Sequence, residues 1–330
     1  MRKKLIPSIA NIVGTDLSSY KVVRTGQFAY GPVTSRNGEK ISIAYLDGED
    51  CIISSSYSVF EVTNKEALDP EYLMLWFSRP EFDRYARYKS HGSVREIFDW
   101  NELCMVELPI PPIDEQRSIV KAYKTVIKRM NLKKRIIDNL ESQAEALYDE
   151  MIVNNSINYN YKVSTLEEVS TIKTGKLNSE AAVSNGVYPF FTCSQETYRT
   201  NTFSFDQEVV LLAGNNASAI YPLKIYSGKF DAYQRTYVIS SKNKFVSNKQ
   251  LYFVLKKQLN EFKGISSGTA TKFLTMKILG PIPVVIAPED IANYFIKATD
   301  KIFEVIFQNQ IEVEQLHELK KMILGKLSRK

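Results

Sequence analysis

The side chains in this sequence that could act on a ligand are arginines, lysines, amides and hydroxyls, set among aromatics in a few short stretches. One stretch holds Arg24, Tyr30, Thr34, Ser35, Arg36, Asn37 and Lys40. A second, Arg84-Tyr-Ala-Arg-Tyr-Lys-Ser-His-Gly-Ser-Val-Arg95, supplies Arg87, Lys89, His91, Ser93 and Arg95 and contains no acid. Further on come Lys176, then Thr192, Ser194 and Gln195, then Asn215 and Asn216, then Tyr233, Gln234 and Arg235. The turn Ser266-Ser-Gly-Thr-Ala-Thr-Lys272 adds Ser267, Thr269, Thr271 and Lys272. Arginine and lysine displace counterions from phosphates, and a Gly-Ser turn can point backbone N–H groups at one. Arginine, asparagine and glutamine match the edges of guanine or adenine in the major groove. The chemistry on offer is recognition of nucleic acid. The bland alternative is that the Asn, Ser and Thr residues only satisfy turns, as they do in most proteins.

Catalytic readings find less support. The two histidines, His91 and His317, cannot build a histidine-rich metal site. No Gly-x-Gly and no Gly-x-x-x-x-Gly-Lys-Ser/Thr occurs, so both common nucleotide-binding fingerprints are missing. Pro111-Pro112 follows Ile110 rather than Asn or Asp, unlike the site of an amino-methyltransferase. Cys51, Cys104 and Cys193 are an odd number, widely spaced, which disfavours a disulfide framework or a zinc site and points to a reducing compartment. No run approaches the ~20 apolar residues of a membrane span, and Met1-Arg-Lys-Lys-Leu-Ile-Pro has no apolar signal core behind it. A cytoplasmic binding protein is expected, with no catalytic residue and no metal. Two rivals remain: a DNA-modifying or DNA-cleaving enzyme with an unfamiliar site, and a coiled-coil scaffold that touches no DNA.

The elements that must position these residues come in two copies. A chain of 330 residues with ordinary globular composition, 44% hydrophobic and 24% charged, suggests about two domains. The excess of 43 basic over 37 acidic residues is mild, so its localisation matters more than its size. His91-Gly-Ser-Val-Arg-Glu-Ile-Phe98, Leu108-Pro-Ile-Pro-Pro112 and a long helical segment are echoed by Ser267-Gly-Thr-Ala-Thr-Lys-Phe-Leu274, Gly280-Pro-Ile-Pro283 and a second helical segment. Each copy reads as glycine turn, short apolar strand, proline stop, long helix.

Both helical segments carry a 4-3 apolar spacing. In the first it runs through Ile119, Tyr123, Val126, Met130, Lys133, Ile137, Leu140, Ala144, Leu147 and Met151. In the second it runs through Ile291, Phe295, Ala298, Ile302, Val305, Asn309, Glu312, Leu316, Leu319, Ile323 and Leu327. Seams this long predict coiled-coil pairing, with two separate core helices as the alternative. If the helices run antiparallel, the polar breaks at Lys133 and at Asn309 and Glu312 fall close together. They then either form a buried contact that fixes register, or Lys133 extends to solvent and Val313 takes the place of Glu312. Charge is segregated too: residues 117–135 hold eight Lys or Arg and no acid, and residues 138–150 five acids and no base. Such blocks mark solvated faces or subunit contacts.

The remaining stretches read as β-rich. Asn37-Gly38 predicts a hairpin ahead of alternating Ile41, Ile43 and Tyr45, and Asp47-Gly48 a second turn before Cys51 to Ile53. Val209 to Ala213, Lys224 to Tyr226 and Tyr237 to Ile239 read as strands. Leu251 to Phe262 reads as a helix matching Pro70 to Tyr88. The class is α+β, divided into a β-rich domain at 1–112, a helix at 113–153, a linker at 154–160, a second β-rich domain at 161–287 and a second helix at 288–330.

Taken together, the sequence resembles the specificity subunits of type I restriction–modification systems. The resemblance is carried by Gly92-Ser-Val-Arg95 with Leu108-Pro-Ile-Pro-Pro-Ile-Asp-Glu-Gln-Arg117, and by their echoes Gly268-Thr-Ala-Thr-Lys-Phe273 and Pro281-Ile-Pro283. Leu166-Glu-Glu-Val-Ser-Thr-Ile-Lys-Thr-Gly-Lys176 and Ala213-Gly-Asn-Asn-Ala217 extend it. The resemblance implies two target-recognition domains, each reading half of a bipartite site in double-stranded DNA. It implies an antiparallel pair of spacer helices that also bind two modification subunits. Those subunits would hold S-adenosylmethionine and methylate adenine, and a restriction subunit would use ATP and Mg²⁺ for translocation; the specificity subunit itself would be non-catalytic. The first domain has no counterpart of Leu166–Lys176 and reads as shortened at its N-terminus, with a truncated or rearranged specificity subunit as the alternative. A seam of about 33 residues at ~1.5 Å each spans roughly 50 Å, which limits half-site centres to no more than about 15 base pairs apart.

Overall fold

The computed structural model describes residues 16–34, 40–92, 95–159, 161–265 and 272–327. The chain forms two compact units, Met1–Lys133 with Glu312–Lys330, and Lys134–Ile311. The architecture is α+β, with β-rich parts and two long helices, and each unit takes a segment of either long helix.

The first unit contributes β1 (Lys21–Val23), β2 (Phe28–Gly31), β3 (Ser42–Tyr45), β4 (Cys51–Ile53) and β5 (Ser58–Phe60). They are followed by α1 (Pro70–Phe77), α2 (Pro80–Tyr88), α3 (Trp100–Cys104) and the start of α4 (Ile113–Tyr148). The hairpin expected around Asn37-Gly38 forms: β2 pairs antiparallel with β3, from Phe28 opposite Tyr45 to Gly31 opposite Ser42, although the tip lies outside the described residues. The strand after Asp47-Gly48 joins a different sheet, since β4 pairs with β1. The helix expected from Pro70 to Tyr88 is two helices, because Pro80 has no N–H to donate and pushes Arg79 into extended backbone. Asp69 caps α1 by accepting from the N–H groups of Glu71 and Tyr72. Phe28, Tyr30, Tyr72, Trp76, Phe82 and Phe98 form a core with Val120 of α4 and with Leu324 and Leu327 near the chain's end.

In the second unit α4 runs on as a π-helical turn, Asp149–Asn154, and α5 (Asn155–Asn158). The expected linker at 154–160 is therefore helical as far as Asn158, a correction: its asparagines and serine interrupt the apolar pattern without breaking the backbone hydrogen bonding. Next come β6 (Lys162–Thr165), α6 (Leu166–Val169), β7 (Ser170–Thr174), β8 (Tyr188–Phe191), β9 (Thr197–Thr200), β10 (Phe205–Ala213) and β11 (Asn215–Asn216). The unit continues with β12 (Leu223–Ala232), β13 (Thr236–Ser241), α7 (Asn248–Ile265), β14 (Lys272–Phe273), α8 (Met276–Leu279), β15 (Pro283–Ile286) and the first part of α9 (Glu289–Lys326). Six strands form one sheet in the order β7-β13-β10-β12-β8-β9. Alternate residues of β10 serve two cores, as a period of two requires. Val210 and Leu212 belong with Phe253, Tyr148, Phe295 and Phe303, while Val209 and Leu211 belong with Phe191 and Phe230.

Along α4 the expected seam is buried or half-buried throughout, from Ile119, Tyr123 and Met130 through Ile137, Leu140 and Leu147. Along α9 it drifts. Phe295 is buried and Ile302, Leu316 and Ile323 half-buried, but the fully covered positions are Ala292, Phe295, Thr299, Phe303 and Ile306, while Val305 and Leu319 are exposed at 42% and 43%. Phe303 packs on Tyr252 and Phe253 of α7, so the buried face of α9 there is set by that core and departs from the 4-3 series. Leu319 is thus corrected from seam to surface. Part of each charge block is answered within its own unit. Arg117 and Lys124 face Glu66 and Glu71, and Arg129 and Lys133 both reach Glu312. Glu141 and Glu145 meet Lys256 at 2.6 and 2.8 Å, and Asp149 meets Lys257 at 2.6 Å. Among the described residues no helix is long and apolar enough to cross a membrane.

Candidate nucleic-acid interface

In the second unit the predicted residues converge on one end of the six-stranded sheet. The turn Tyr233-Gln234-Arg235, between β12 and β13, is stapled from three sides. Tyr233 N donates to Phe191 O at 2.8 Å, Gln234 N to Leu177 O at 3.0 Å, and Gly214 N to Arg235 O at 2.8 Å. The Cys193 thiol also lies 3.4 Å from Arg235 O. Next to Gly214, β11 pairs with β14, placing Asn215 opposite Phe273 and Asn216 opposite Lys272. Lys176 joins the cluster through Gly175, where any Cβ would overlap the Ala232 carbonyl, so only glycine lets β7 run on past the end of β12.

These segments enclose a groove of about 590 Å³ lined by Thr192, Cys193, Ser194, Asn215, Asn216 and Tyr233, among others. Gln195, Gln234, Arg235 and Lys176 are exposed, and Lys272 is half-buried. A groove walled by neutral amides and hydroxyls, with cations on adjoining segments, suits hydrogen-bonding to base edges with phosphates at the margin. Burial also shapes the loop that carries Thr192 and Ser194. Lys224 donates to Thr197 Oγ1 at 2.9 Å and lies 5.6 Å from the Phe191 ring, and desolvation lowers its ammonium to about 8.

The first unit gathers a smaller set. His91 and Ile97 exchange backbone hydrogen bonds of 3.0 and 2.9 Å, and Thr34 N donates to Glu96 O, which closes a short stem. Gly92 adopts φ +130°, which L-residues avoid. His91 and Arg95 are exposed, Lys89 is half-buried, and Lys40 is exposed next to Ile41, whose N–H is held by Asp83 of α2. Arg87 is 3.1 Å from Glu96, which already matches its charge.

Two expectations need correction. Tyr30 is fully buried and its hydroxyl donates to the Phe98 carbonyl, so it is a core residue; burial also raises its pKa. Thr34 is 3% exposed and its hydroxyl is held between Ser90 Oγ and Glu96 O. Arg24 is exposed but precedes β2, at the opposite end of that strand from Thr34 and the glycine turn. A small polar residue before a turn looks alike in sequence whether it faces solvent or closes a stem. Ser35, Arg36, Asn37, Ser93, Ser267, Thr269 and Thr271 lie outside the described residues.

Sequence reasoning missed Phe273 and Cys193 as parts of the site, because neither is polar enough to stand out. It also missed α3 and α8, the short helices that follow the glycine turn in both copies. The equivalence shows in their approach: Tyr30 donates to Phe98 O, and Tyr237 donates to Leu274 O at 2.8 Å, each the second residue before a helix. Among the described residues no group of three or more His, Cys, Asp or Glu could hold a metal ion.

Comparison with known proteins agrees with this doubled arrangement. Residues 21–142 and 158–321 match the family described as type I restriction modification DNA specificity domain. The chain is 30% identical over 161 residues to the type I restriction enzyme EcoDI specificity subunit of Escherichia coli, covering 49% of this chain and 35% of that protein. It therefore spans about a third of that relative's length. Among solved structures, the S subunit of a type I restriction–modification system from M. genitalium superposes with a TM-score of 0.61 at 14% identity, over 93% of this chain and 84% of the other. That likeness is one of fold. The HsdS subunit from Thermoanaerobacter tengcongensis gives 0.37 at 17% identity, over 98% and 86% of the two chains.

Proposed function

The chain belongs to the family of type I restriction–modification DNA specificity domains, and from that membership we propose that it is the subunit that reads a two-part DNA target. The observation that carries this reading is the convergence of Lys176, Thr192, Ser194, Asn215, Asn216, Tyr233, Gln234, Arg235 and Lys272 on one groove and its margin in the second unit. Residues distant in sequence meet where amides and hydroxyls are backed by exposed cations, which is what base reading with phosphate positioning requires. The first unit reads the other half-site with Lys89, His91 and Arg95 around its glycine turn.

The two long helices act as an antiparallel pair that spaces the two readers and docks two modification subunits. This is supported by the pairing of Lys133 and Arg129 with Glu312, and by the shared core of Val120 with Leu324 and Leu327. The same direction is supported in the second unit, where Ala144 and Tyr148 belong to one core with Phe295 and Phe303. Methyl transfer to adenine from S-adenosylmethionine belongs to the modification subunits, and any ATP- and Mg²⁺-dependent translocation to a restriction subunit. The chain itself is non-catalytic and cytoplasmic in this reading. Methylation mapping in cells that carry the chain with its modification subunits tests it. Adenine methylation is expected at one sequence made of two short blocks around a fixed unspecified spacer, and is lost when the chain is deleted. Methylation that persists without the chain, or a continuous target, would overturn it.

A further inference from the structure

Resting on that reading and taking it further, we propose that Arg235 reads a guanine in the half-site contacted by the second unit, with the ring of Phe273 holding its guanidinium in place. The other arginines near an acid are already matched: Arg79, Arg84, Arg87, Arg117 and Arg129 each face a glutamate. Arg235 has no carboxylate partner among the described residues, and its side chain is exposed. Its guanidinium carbon sits 5.4 Å from the centroid of the Phe273 ring, within the range of a cation–π contact. A cation–π contact takes up none of the guanidinium N–H groups as hydrogen-bond donors, and those are the groups that donate to O6 and N7 of guanine.

The backbone beneath it is fixed as well. The Arg235 carbonyl accepts from Gly214 N at 2.8 Å, Thr236 N donates to Tyr233 O at 2.8 Å, and Gly175 N donates to Thr236 O at 3.2 Å. Phe273 is itself set by its register opposite Asn215, and Asn215 lines the groove beside Tyr233. A planar, unneutralised fork on a rigid turn at the rim of an amide-lined groove loses little freedom when a base arrives. That preorganisation separates a base reader from a cation that only follows the phosphate backbone.

The test is selection from a random duplex library by the full chain assembled with its modification subunits, followed by sequencing. The wild-type complex is expected to enrich a two-part sequence with a guanine at one position of one half. R235Q and R235K are both expected to reduce preference at that position by about ten- to hundredfold, with the other half-site unchanged. R235K should retain more overall affinity than R235Q, because its charge still meets phosphate. F273L should weaken the same position by a smaller factor, and thermal unfolding of the variants should match that of wild type. Unchanged selection in R235Q, a loss spread evenly over both half-sites, or a lost position that is not guanine would each overturn the proposal while leaving the two-part reading intact. Failure of the wild-type complex to enrich any sequence would overturn both.

Discussion

At the scale of single residues, the site depends on positions where side-chain identity fixes backbone geometry. Gly175 is the clearest. Its Cα passes so close to the Ala232 and Tyr233 carbonyls that alanine there must push β7 away from the turn that carries Arg235. Gly175→Ala is expected to cost about 1–3 kcal/mol, the usual range for forced overpacking, measured by urea unfolding. It should also impair selection in one half-site more than in the other. Equal stability of the two proteins would show that the approach is looser than the structure indicates. The polar contacts divide in the same way. Tyr30 and Thr34 are consumed by the fold, while Gln234, Arg235 and Arg95 remain exposed. The sequence named all five residues for the same reason, and only burial separates them.

At the scale of elements, the long helices place a charged contact within a largely apolar seam. Lys133 reaches Glu312 at 2.8 Å, both side chains 24% exposed, and Arg129 reaches the same carboxylate. Hydrogen bonding from Lys133, with a further contribution from Arg129, holds the Glu312 carboxyl below its ordinary value of 4.5. A depressed carboxyl stabilises the folded state above its unfolded value, and that contribution is lost as pH falls through the folded one. Glu312→Gln is therefore expected to lower Tm at pH 7, with the deficit shrinking as pH falls below 4.5. A deficit that stays constant from pH 7 to pH 3 would mean the carboxylate charge contributes nothing. Asn309, the other polar residue expected in the seam, is 6% exposed and turns its amide back to the Val305 carbonyl at 2.7 Å rather than toward Lys133. Polar breaks were legible in the sequence, but which of them pair was not, because one residue of helical drift decides it.

At the scale of the whole molecule, the proposal is that paired helices set the interval between two DNA-reading domains. Inserting one heptad into each helix, seven residues at ~1.5 Å, adds ~10 Å, or about three base pairs of duplex. The expected result is a methylated target whose two blocks are unchanged and whose spacer is about three base pairs longer. An unaltered spacer would contradict the role of the helices. Neutralising Arg95 or Lys272 should instead weaken binding to all sequences alike and flatten its dependence on salt.

The sequence by itself determined the doubled plan, the α+β class, the two long helices and most segments that form the groove in the second unit. Those features rest on periodicity, glycine and proline placement and charge spacing, which act locally along the chain. Only the tertiary structure decided that Tyr30 and Thr34 are interior and that Phe273 stands under Arg235. It also decided that the acidic block on α4 answers Lys256 and Lys257 of its own unit. Each of these turns on which distant segment arrives opposite a given side chain. That is fixed by core packing and strand register between segments far apart in the chain, and no local pattern encodes it.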